Sequence, residues 1–223
     1  MRLNFHLPSQ PCVLCGSMTL FGAWCEACDA AMPYHDAPHC PICARITPDG
    51  EVCGHCMKKP PAFSRTVALF GYDFPADRLI QAMKYNEQLA LARMFAEKLS
   101  QRLTKSDLPD WVIAMPLHPA RLKLRGFNQA LLIAEPLARL LDLPLLKHAC
   151  KRVRDTPSQT SLPFNERTQN MRDAFACNAD LSGKHVALVD DVMTTGASLD
   201  ALAEAIRKCG AAKVSAWVAA RTV

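Results

Sequence analysis

The chain has 223 residues, of which 50% are hydrophobic and 21% are charged, and its formal net charge is +5. This composition is typical of a folded protein and excludes general disorder, and the length fits one ordinary domain with a small additional module. The sequence has neither a signal-peptide core nor an apolar run of about 18 residues, so we expect a cytoplasmic protein without membrane insertion.

The basic excess is concentrated in the middle of the chain. Residues 116–172 contain ten Lys and Arg residues against four Asp and Glu residues. Such a local excess indicates phosphate-rich ligands, although a solvated basic face would have the same composition.

Eight of the eleven cysteines lie before residue 57 and form a tandem repeat. Four cysteines with the spacing C-x2-C-x9-C-x2-C recur 28 residues later, and Gly22 and Gly50 obey the same shift. The two sets are Cys12, Cys15, Cys25 and Cys28, and then Cys40, Cys43, Cys53 and Cys56. In a cytosolic chain this density indicates metal binding rather than disulfides.

Each repeat contains the ligands of one four-cysteine zinc ribbon. Two C-x2-C knuckles joined by a short hairpin can place four thiolates around a tetrahedral ion, and Gly22 or Gly50 permits the tight turn. We therefore predict two successive structural zinc sites, with a cross-braced pairing as the alternative arrangement and iron as the weaker alternative metal. The predicted module covers residues 1–61, and it is either purely structural or a contact surface for nucleic acid or protein.

Residues 62–223 are predicted to form an α/β domain after a linker at 59–61. The predicted strands cover 66–72, 111–115, 143–149, 185–190 and 213–221. The predicted helices cover 75–85, 88–103, 128–141 and 197–209, with Pro136 inside the third, and a basic loop covers 116–126. Strands and helices alternate from residue 111 onward, which indicates a parallel sheet flanked by helices, with ligands at the carboxyl ends of the strands.

The main candidate site follows the apolar run 186–189. Two adjacent acids, two further residues and a Thr-Thr-Gly turn precede a predicted helix; these residues are Asp190, Asp191, Val192, Met193, Thr194, Thr195 and Gly196, with Ser198 in the first helical turn. A helix N-terminus with hydroxyl donors suits a phosphate, and paired carboxylates can accept hydrogen bonds from a diol. A phosphorylated sugar would satisfy both halves, whereas the alternative is a capped helix with two buried acids.

The run Val-Asp-Asp-Val-Met-Thr-Thr-Gly at 189–196 resembles the phosphoribosyl-pyrophosphate (PRPP) motif of type I phosphoribosyltransferases. With the cysteine pairs, further blocks resemble the ComF family, including its GntX-like branch. These blocks are Pro116-Leu117-His118-Pro119, Arg121, Arg125-Gly126-Phe127-Asn128-Gln129, Thr156-Pro157-Ser158-Gln159, Leu162, Arg167, Asn170 and Phe175. The resemblance covers essentially the whole chain and implies a type I phosphoribosyltransferase-like domain preceded by a double zinc ribbon.

The resemblance also implies roles for these residues. Asp190 and Asp191 are the implied catalytic residues and bind the ribose hydroxyls, Met193 to Ser198 cradle the 5′-phosphate, and Val192 belongs to the same implied PRPP-binding set. Mg²⁺ bridges the pyrophosphate and the ribose. The implied pyrophosphate loop contains Pro116, Leu117, His118, Arg121, Arg125 and Gly126. The segment 151–172 takes the place of a mobile lid, with candidate residues Arg152, Thr156, Gln159, Arg167 and Asn170.

Three functions are compatible with these motifs. ComF-like proteins are tied to natural competence and to the use of external DNA, so the resemblance implies a PRPP-binding protein that contacts single-stranded DNA and other DNA-uptake proteins. Arg121, Lys123 and Arg125 are the candidate nucleic-acid contacts because cationic side chains neutralise phosphates. The alternatives are a nucleobase phosphoribosyltransferase of nucleotide salvage, and a non-catalytic zinc-ribbon module that binds nucleic acid or protein.

Overall fold

The computed structural model describes residues 9–20, 22–85, 89–154 and 174–222. The strands in these ranges are β1 (Gln10–Pro11), β2 (Met18–Thr19), β3 (Arg65–Gly71), β4 (Trp111–Ala114), β5 (Cys150–Arg152), β6 (Phe175–Cys177), β7 (His185–Met193) and β8 (Lys213–Arg221). The α-helices are α1 (Glu26–Ala30), α2 (Gly54–Lys58), α3 (Ala76–Tyr85), α4 (Leu89–Ser100), α5 (Pro119–Arg125), α6 (Gln129–Leu140) and α7 (Ala197–Lys208). None of the described helices is both long and apolar enough to cross a lipid bilayer.

A four-stranded parallel sheet lies at the centre, in the order β3-β8-β7-β4. In register, Val189 of β7 lies opposite Trp217 of β8 and Ala114 of β4. The strands are apolar on both faces because helices cover both faces, which is the usual state of a parallel sheet. The predicted α/β fold with a parallel sheet flanked by helices is therefore confirmed.

The two faces of the sheet belong to two separate cores, and each core includes one of the cysteine repeats. Val189 and Trp217 pack on one face with α3, α4 and α6, together with Trp24 of the first repeat. Leu188 and Val218 pack on the other face with α7, together with all four cysteines of the second repeat. The repeats thus extend the protein core in opposite directions instead of forming a detached module.

The outer edge of the sheet is strand β3, and the segment between the two repeats covers it. The amide of His35 donates to the carbonyl of Leu69 at 3.0 Å, and the amide of Gly71 donates to the carbonyl of Pro33 at 2.8 Å. These bonds satisfy backbone groups that an exposed edge strand would otherwise present to other chains. The predicted domain boundary at 61/62 stays a prediction.

Three local predictions were wrong. The predicted basic loop 116–126 contains helix α5. Pro119 starts this helix, and the His118 side chain caps it by accepting a hydrogen bond from the Ala120 amide at 3.3 Å. Gly126 ends the helix at φ +81°. Residues 143–149 form only one bridge, between Leu145 and Val112, since the preceding proline offers no N–H to extend the ladder.

The third error concerns the end of β7. We predicted that the strand ends at residue 190, but it continues through both acids to Met193. The residues from Val192 onward keep their pairing because β8 is equally long, with Met193 in register with Arg221. The two acids therefore lie within the last part of the strand rather than after it.

Candidate functional site

The paired acids are half-buried at the carboxyl end of β7. The amide of Asp191 donates to Oδ1 of Asp190 at 2.9 Å, and the amide of Val192 donates to Oδ1 of Asp191 at 2.7 Å. Each carboxylate is thus fixed by the next backbone amide in the chain. A hydrogen bond of this kind orients a carboxylate and leaves further lone pairs for a ligand.

The regular alternation of β7 is interrupted at the acids. Val189 and Val192 both pack against the core formed by α3, α4 and α6, although residues three apart in a regular strand point to opposite faces. The pairing with β8 nevertheless continues across the acids without a shift of register, with Asp190 opposite Val218 and Val192 opposite Ala220.

The structure brings most of the predicted PRPP-binding residues to one cavity. This cavity is open to solvent, which accounts for part of its volume of about 200 Å³, and it is lined by Asp190, Val192, Met193, Thr194, Gly196, Ser198 and Leu199. Asp191 and Thr195 are not part of this lining. Thr195 instead lines a neighbouring cleft of about 550 Å³, where it faces the second cysteine repeat.

Gly196 is required at the turn between β7 and α7. Its φ is +85°, and a Cβ at this position would lie 2.7 Å from Cε of Met193. A side chain would therefore be strained and would also push on the loop, whereas glycine allows the backbone to approach a ligand closely. Directly after it, the amide of Ala197 donates to Oγ1 of Thr195 at 3.2 Å and starts helix α7.

These residues fit a phosphorylated sugar. The positive end of the α7 dipole faces the turn 194–196, where hydroxyl groups and backbone amides suit a phosphate. The carboxylate of Asp190 lines the same cavity and can accept hydrogen bonds from sugar hydroxyls.

The chain after β4 starts beside the acids. The amide of Met115 donates to the carbonyl of Val189 at 2.8 Å, and the Asn128 side chain donates to the carbonyl of Met115 at 3.0 Å. These bonds place the beginning of the predicted pyrophosphate loop, Pro116–His118, next to the end of β7. The cationic part of that predicted loop lies on helix α5.

Helix α5 is basic and largely solvent-exposed. Lys123 is exposed and Arg121 is half-buried, and Leu124 between the cations is 90% exposed. Nη1 of Arg125 donates to Oε1 of Gln129 at 3.0 Å, which ties the end of α5 to the start of α6. The three predicted nucleic-acid contacts are therefore presented by one short helix.

The predicted lid lies almost wholly outside the described residues. Thr156, Gln159, Arg167 and Asn170 belong to the range that is not described. Arg152 is described; it is only 8% exposed and its guanidinium lies 5.7 Å from the centre of the Phe175 ring. This residue therefore packs on the β5–β6 hairpin.

The eight N-terminal cysteines form two clusters, and each repeat contributes its own four. Within each cluster the sulfur atoms lie within 4.8 Å of one another. Cys15 and Cys25 are 3.7 Å apart, and Cys43 and Cys53 are 3.6 Å apart. A tetrahedral zinc ion with Zn–S bonds of about 2.3 Å places its sulfur ligands about 3.8 Å apart, so both clusters fit zinc. The alternative cross-braced pairing does not occur.

In each cluster the pKa of at least one thiol is lowered, while hydrogen bonding to neighbouring cysteines and burial raise the pKa of Cys28 in the first repeat and of Cys43 and Cys56 in the second. Burial raises the pKa of Cys12, but hydrogen bonds from the backbone amides of Cys15 and Cys25 outweigh it and lower the pKa to about 6. In the second repeat, hydrogen bonds from Cys56 outweigh burial and lower the pKa of Cys53 to about 7. Since zinc binds thiolates, one cysteine of each cluster is ready for the metal near neutral pH.

One residue of the site could not be found from the sequence. Arg221 at the end of β8 is 3% exposed, and its guanidinium lies between the second repeat and the loop after β7. Its Nε donates to the carbonyl of Cys43 at 2.8 Å, and its Nη1 donates to the carbonyls of Met193, at 3.2 Å, and Thr194. Because Cys43 is 178 residues away in the chain, no local motif signals this contact.

Comparison with known proteins agrees with this architecture. The phosphoribosyl transferase domain family matches residues 128–222, and the double zinc ribbon domain family matches residues 2–57. The purine phosphoribosyltransferase of Pyrococcus horikoshii overlaps 71% of this chain and 88% of its own, with 22% identity and a TM-score of 0.34; this structural similarity is too weak to add to the assignment.

Several relatives match over nearly the whole chain. The DNA utilization protein YhgH of Escherichia coli K12 is 33% identical over 95% of this chain and 97% of its own. Competence protein F of Haemophilus influenzae is 33% identical over 99% of this chain and 94% of its own. With these relatives and both domain matches, the chain belongs to the ComF family of competence and DNA-utilization proteins, which join a double zinc ribbon to a phosphoribosyltransferase domain.

Proposed function

We propose that this protein binds PRPP at the turn between β7 and α7 and acts in the uptake or use of external DNA. The observation that carries the proposal is the single cavity shared by Asp190 and the turn at Thr194 and Gly196. An acid and a phosphate-binding turn in one small cavity match the two ends of a phosphorylated ribose. The names of the relatives support the biological context.

The proposed role of each residue follows from its charge and hydrogen-bonding groups. Asp190 and Asp191 accept hydrogen bonds from the ribose hydroxyls and hold the sugar in one orientation. The hydroxyls of Thr194 and Ser198 and the N-terminus of α7 bind the 5′-phosphate. Arg121 on α5 neutralises the diphosphate. Mg²⁺, when bound with PRPP, supplies the remaining positive charge.

We further propose that the eight clustered cysteines hold two structural zinc ions. All-cysteine sites are closed, so the metals stabilise the fold and do not take part in chemistry. The short helices α1 and α2 have five residues each, and helices of this length are not stable alone. Metal binding therefore contributes directly to the folding of this part of the chain.

Single-stranded DNA is the proposed macromolecular ligand. Helix α5 carries the exposed Lys123 and the half-buried Arg121 and Arg125 beside the start of the site loop, and cationic side chains bind the nucleic-acid backbone without sequence preference. The local excess of Lys and Arg over residues 116–172 supports the same ligand. Other DNA-uptake proteins are proposed partners because the relatives are named for competence and DNA utilization.

The test of the PRPP proposal is a calorimetric titration with PRPP and Mg²⁺. We expect the wild-type protein to bind PRPP, and the double substitution Asp190→Asn with Asp191→Asn to weaken binding by at least about 100-fold, since hydrogen bonds to charged groups contribute about 1.5–3 kcal/mol each. Asp142→Asn is the matched control, because Asp142 follows the far end of α6 at φ +53°, where asparagine is well tolerated. Equal affinities for all three proteins would refute the site.

Nucleotide salvage is the second function to be tested. Three aromatic residues are candidates for stacking on a base. Phe70 and Trp217 lie in the core, where Phe70 contacts Tyr34 and Phe95, and Tyr72 is half-buried. The lining of the described cavity contains no aromatic side chain. Incubation with labelled PRPP and a panel of bases and oligonucleotides separates the functions: pyrophosphate release with a single base would select salvage, and DNA binding without PRPP binding would select a zinc-ribbon binding module.

A further inference from the structure

We infer that the second zinc ribbon, residues 40–56, positions the PRPP-binding turn, and that Arg221 is the positioning residue that connects them. This inference rests on the proposed function, because it names the structure that holds the proposed site in shape. The first ribbon, residues 12–28, has no such role. The two ribbons share their ligand spacing, so the difference lies in what each one contacts.

The guanidinium of Arg221 joins three segments of the chain. Nε is bonded to the knuckle carbonyl of Cys43, while Nη1 is bonded to Met193 and Thr194 in the turn and to Thr222 at the chain end. A planar guanidinium presents its donors in a fixed fork. Moving the knuckle would therefore move or release the carbonyls of the turn that contains the proposed phosphate site.

The charge of Arg221 also requires the second ribbon. The residue is buried, and in the described part of the chain its hydrogen bonds go to carbonyl oxygens and one hydroxyl, while none of the ion pairs found there includes it. A buried cation is costly without a compensating charge. Four thiolates around Zn²⁺ carry a net charge of −2, so the metal-loaded ribbon supplies the compensating charge next to the guanidinium.

Other contacts hold the second ribbon against the same part of the fold. Oγ1 of Thr66 on β3 donates to the carbonyl of Ile42 at 2.6 Å. Six residues after Cys56, where the chain leaves the ribbon, the amide of Ala62 donates to Oδ1 of Asp200 in the first turn of α7 at 2.7 Å. The ribbon is therefore fixed to the strand on one side and to the helix of the PRPP-binding turn on the other.

The first ribbon is anchored on the opposite face of the sheet. Nζ of Lys98 on α4 pairs with Oδ2 of Asp29 at 2.6 Å, and Nε1 of Trp24 donates to Oδ1 of Asp29 at 2.8 Å. Trp24 also packs against Phe95 of α4. These anchors stabilise the core under α4, and none of them touches the turn at 194–196.

Amide hydrogen exchange in the zinc-loaded protein without PRPP tests the inference directly. We expect the amides of residues 194–197 to exchange at least about tenfold faster in Arg221→Gln, corresponding to the loss of one charged hydrogen bond. Arg221→Lys keeps the charge but loses the fork, so it should recover part of the protection. Thr66→Val should give a smaller increase, and Lys98→Gln, the matched control on the first ribbon, should leave these amides unchanged.

PRPP affinity provides a second readout. It should fall in the same order as the exchange protection, with zinc content unchanged and with no fall in Lys98→Gln. If Arg221→Gln does not fold, Thr66→Val and Lys98→Gln decide the comparison. Wild-type exchange rates in Arg221→Gln and Thr66→Val would overturn the inference. Failure of the wild-type protein to bind PRPP would instead refute the proposed function, and the exchange data would still test the positioning role.

Discussion

The two cysteine repeats have the same ligand spacing but occupy different environments. In the first repeat Cys12 is buried, Cys25 and Cys28 are half-buried and Cys15 is exposed, whereas all four cysteines of the second repeat are buried. The first repeat lies against α4, and the second lies beside the turn between β7 and α7. The repeats therefore sit on opposite faces of the sheet, on either side of its edge strand β3.

This difference shows that a repeated motif determines the metal site but not its role. The spacing of the cysteines fixes the geometry around each ion, while the surrounding residues determine what the ion supports. One copy stabilises the core under a helix, and the other is attached to a proposed ligand site. A duplicated ribbon can thus acquire a second use without any change in its own motif.

Substitution of equivalent cysteines should give the largest effect. Cys28→Ser and Cys56→Ser change the same position of each repeat, and each should lose one of the two zinc ions found by elemental analysis of the wild type. We expect Cys56→Ser to lower the free energy of unfolding further, by at least about 3 kcal/mol, a fraction of the about 10–16 kcal/mol that structural zinc provides. Equal losses, measured by chemical denaturation, would mean that the two ribbons support the fold equally.

Gly196→Ala should produce the next largest effect, and it should act on binding. Alanine at this position would be strained at φ +85°, and its Cβ would also lie against the Met193 side chain. PRPP affinity should therefore fall by about tenfold or more. Gly183→Ala is the matched control, because Gly183 has φ +70° and open space around it. It should lose stability, about 1 kcal/mol, but not affinity. The same loss of affinity in both variants would argue against a specific role for the turn.

DNA binding should distinguish helix α5 from the second ribbon. If α5 contacts the backbone of single-stranded DNA, the double variant Arg121→Gln with Lys123→Gln should weaken binding and reduce the salt slope by about one for each lost phosphate contact. Lys58→Gln removes an exposed cation two residues after the second ribbon and should have little effect. DNA affinity is measured by fluorescence anisotropy across a salt series. A larger loss of affinity with Lys58→Gln would indicate that the DNA contacts the region of the second ribbon instead of α5.

The equivalent glycines of the repeats should give the smallest effect. Gly22 and Gly50 have φ of +79° and +77°, but a Cβ at Gly22 would lie 2.8 Å from Met94 of α4, whereas at Gly50 the nearest atom is 3.8 Å away. Both alanine variants should lose about 1 kcal/mol from backbone strain, and Gly22→Ala should lose up to about 1 kcal/mol more. Combining Gly22→Ala with Met94→Ala should remove the additional loss of stability seen in Gly22→Ala. If the stability losses of the two substitutions simply add, contact with Met94 does not cause that additional loss.

Much of the fold followed from local patterns in the sequence. The buried apolar run before Asp190 and the Thr-Thr-Gly turn after it were recognisable because strand periodicity and turn chemistry depend on near neighbours. The same is true of the cysteine knuckles with Gly22 and Gly50, since a tight turn with positive φ requires glycine.

The errors arose where distant residues determine the local structure. Strand β7 extends to Met193 because β8 pairs with it that far. Helix α5 is the exception, because the local signals Pro119 and Gly126 delimit it and the basic composition alone had indicated a loop. The place of Arg221 between the second ribbon and the turn depends on the complete tertiary structure. Such long-range contacts have no signature in a single sequence.

Competition between PRPP and ribose 5-phosphate is the most direct test of the proposed site. Ribose 5-phosphate has the 5′-phosphate and the two ribose hydroxyls but lacks the pyrophosphate, so it should bind only through the turn and the paired acids. We predict that PRPP binds the zinc-loaded protein at one site per chain, and that ribose 5-phosphate displaces it in wild type but has no measurable affinity for Asp190→Asn with Asp191→Asn. Displacement that survives this double substitution, or no PRPP binding by the wild type, would contradict the proposed site.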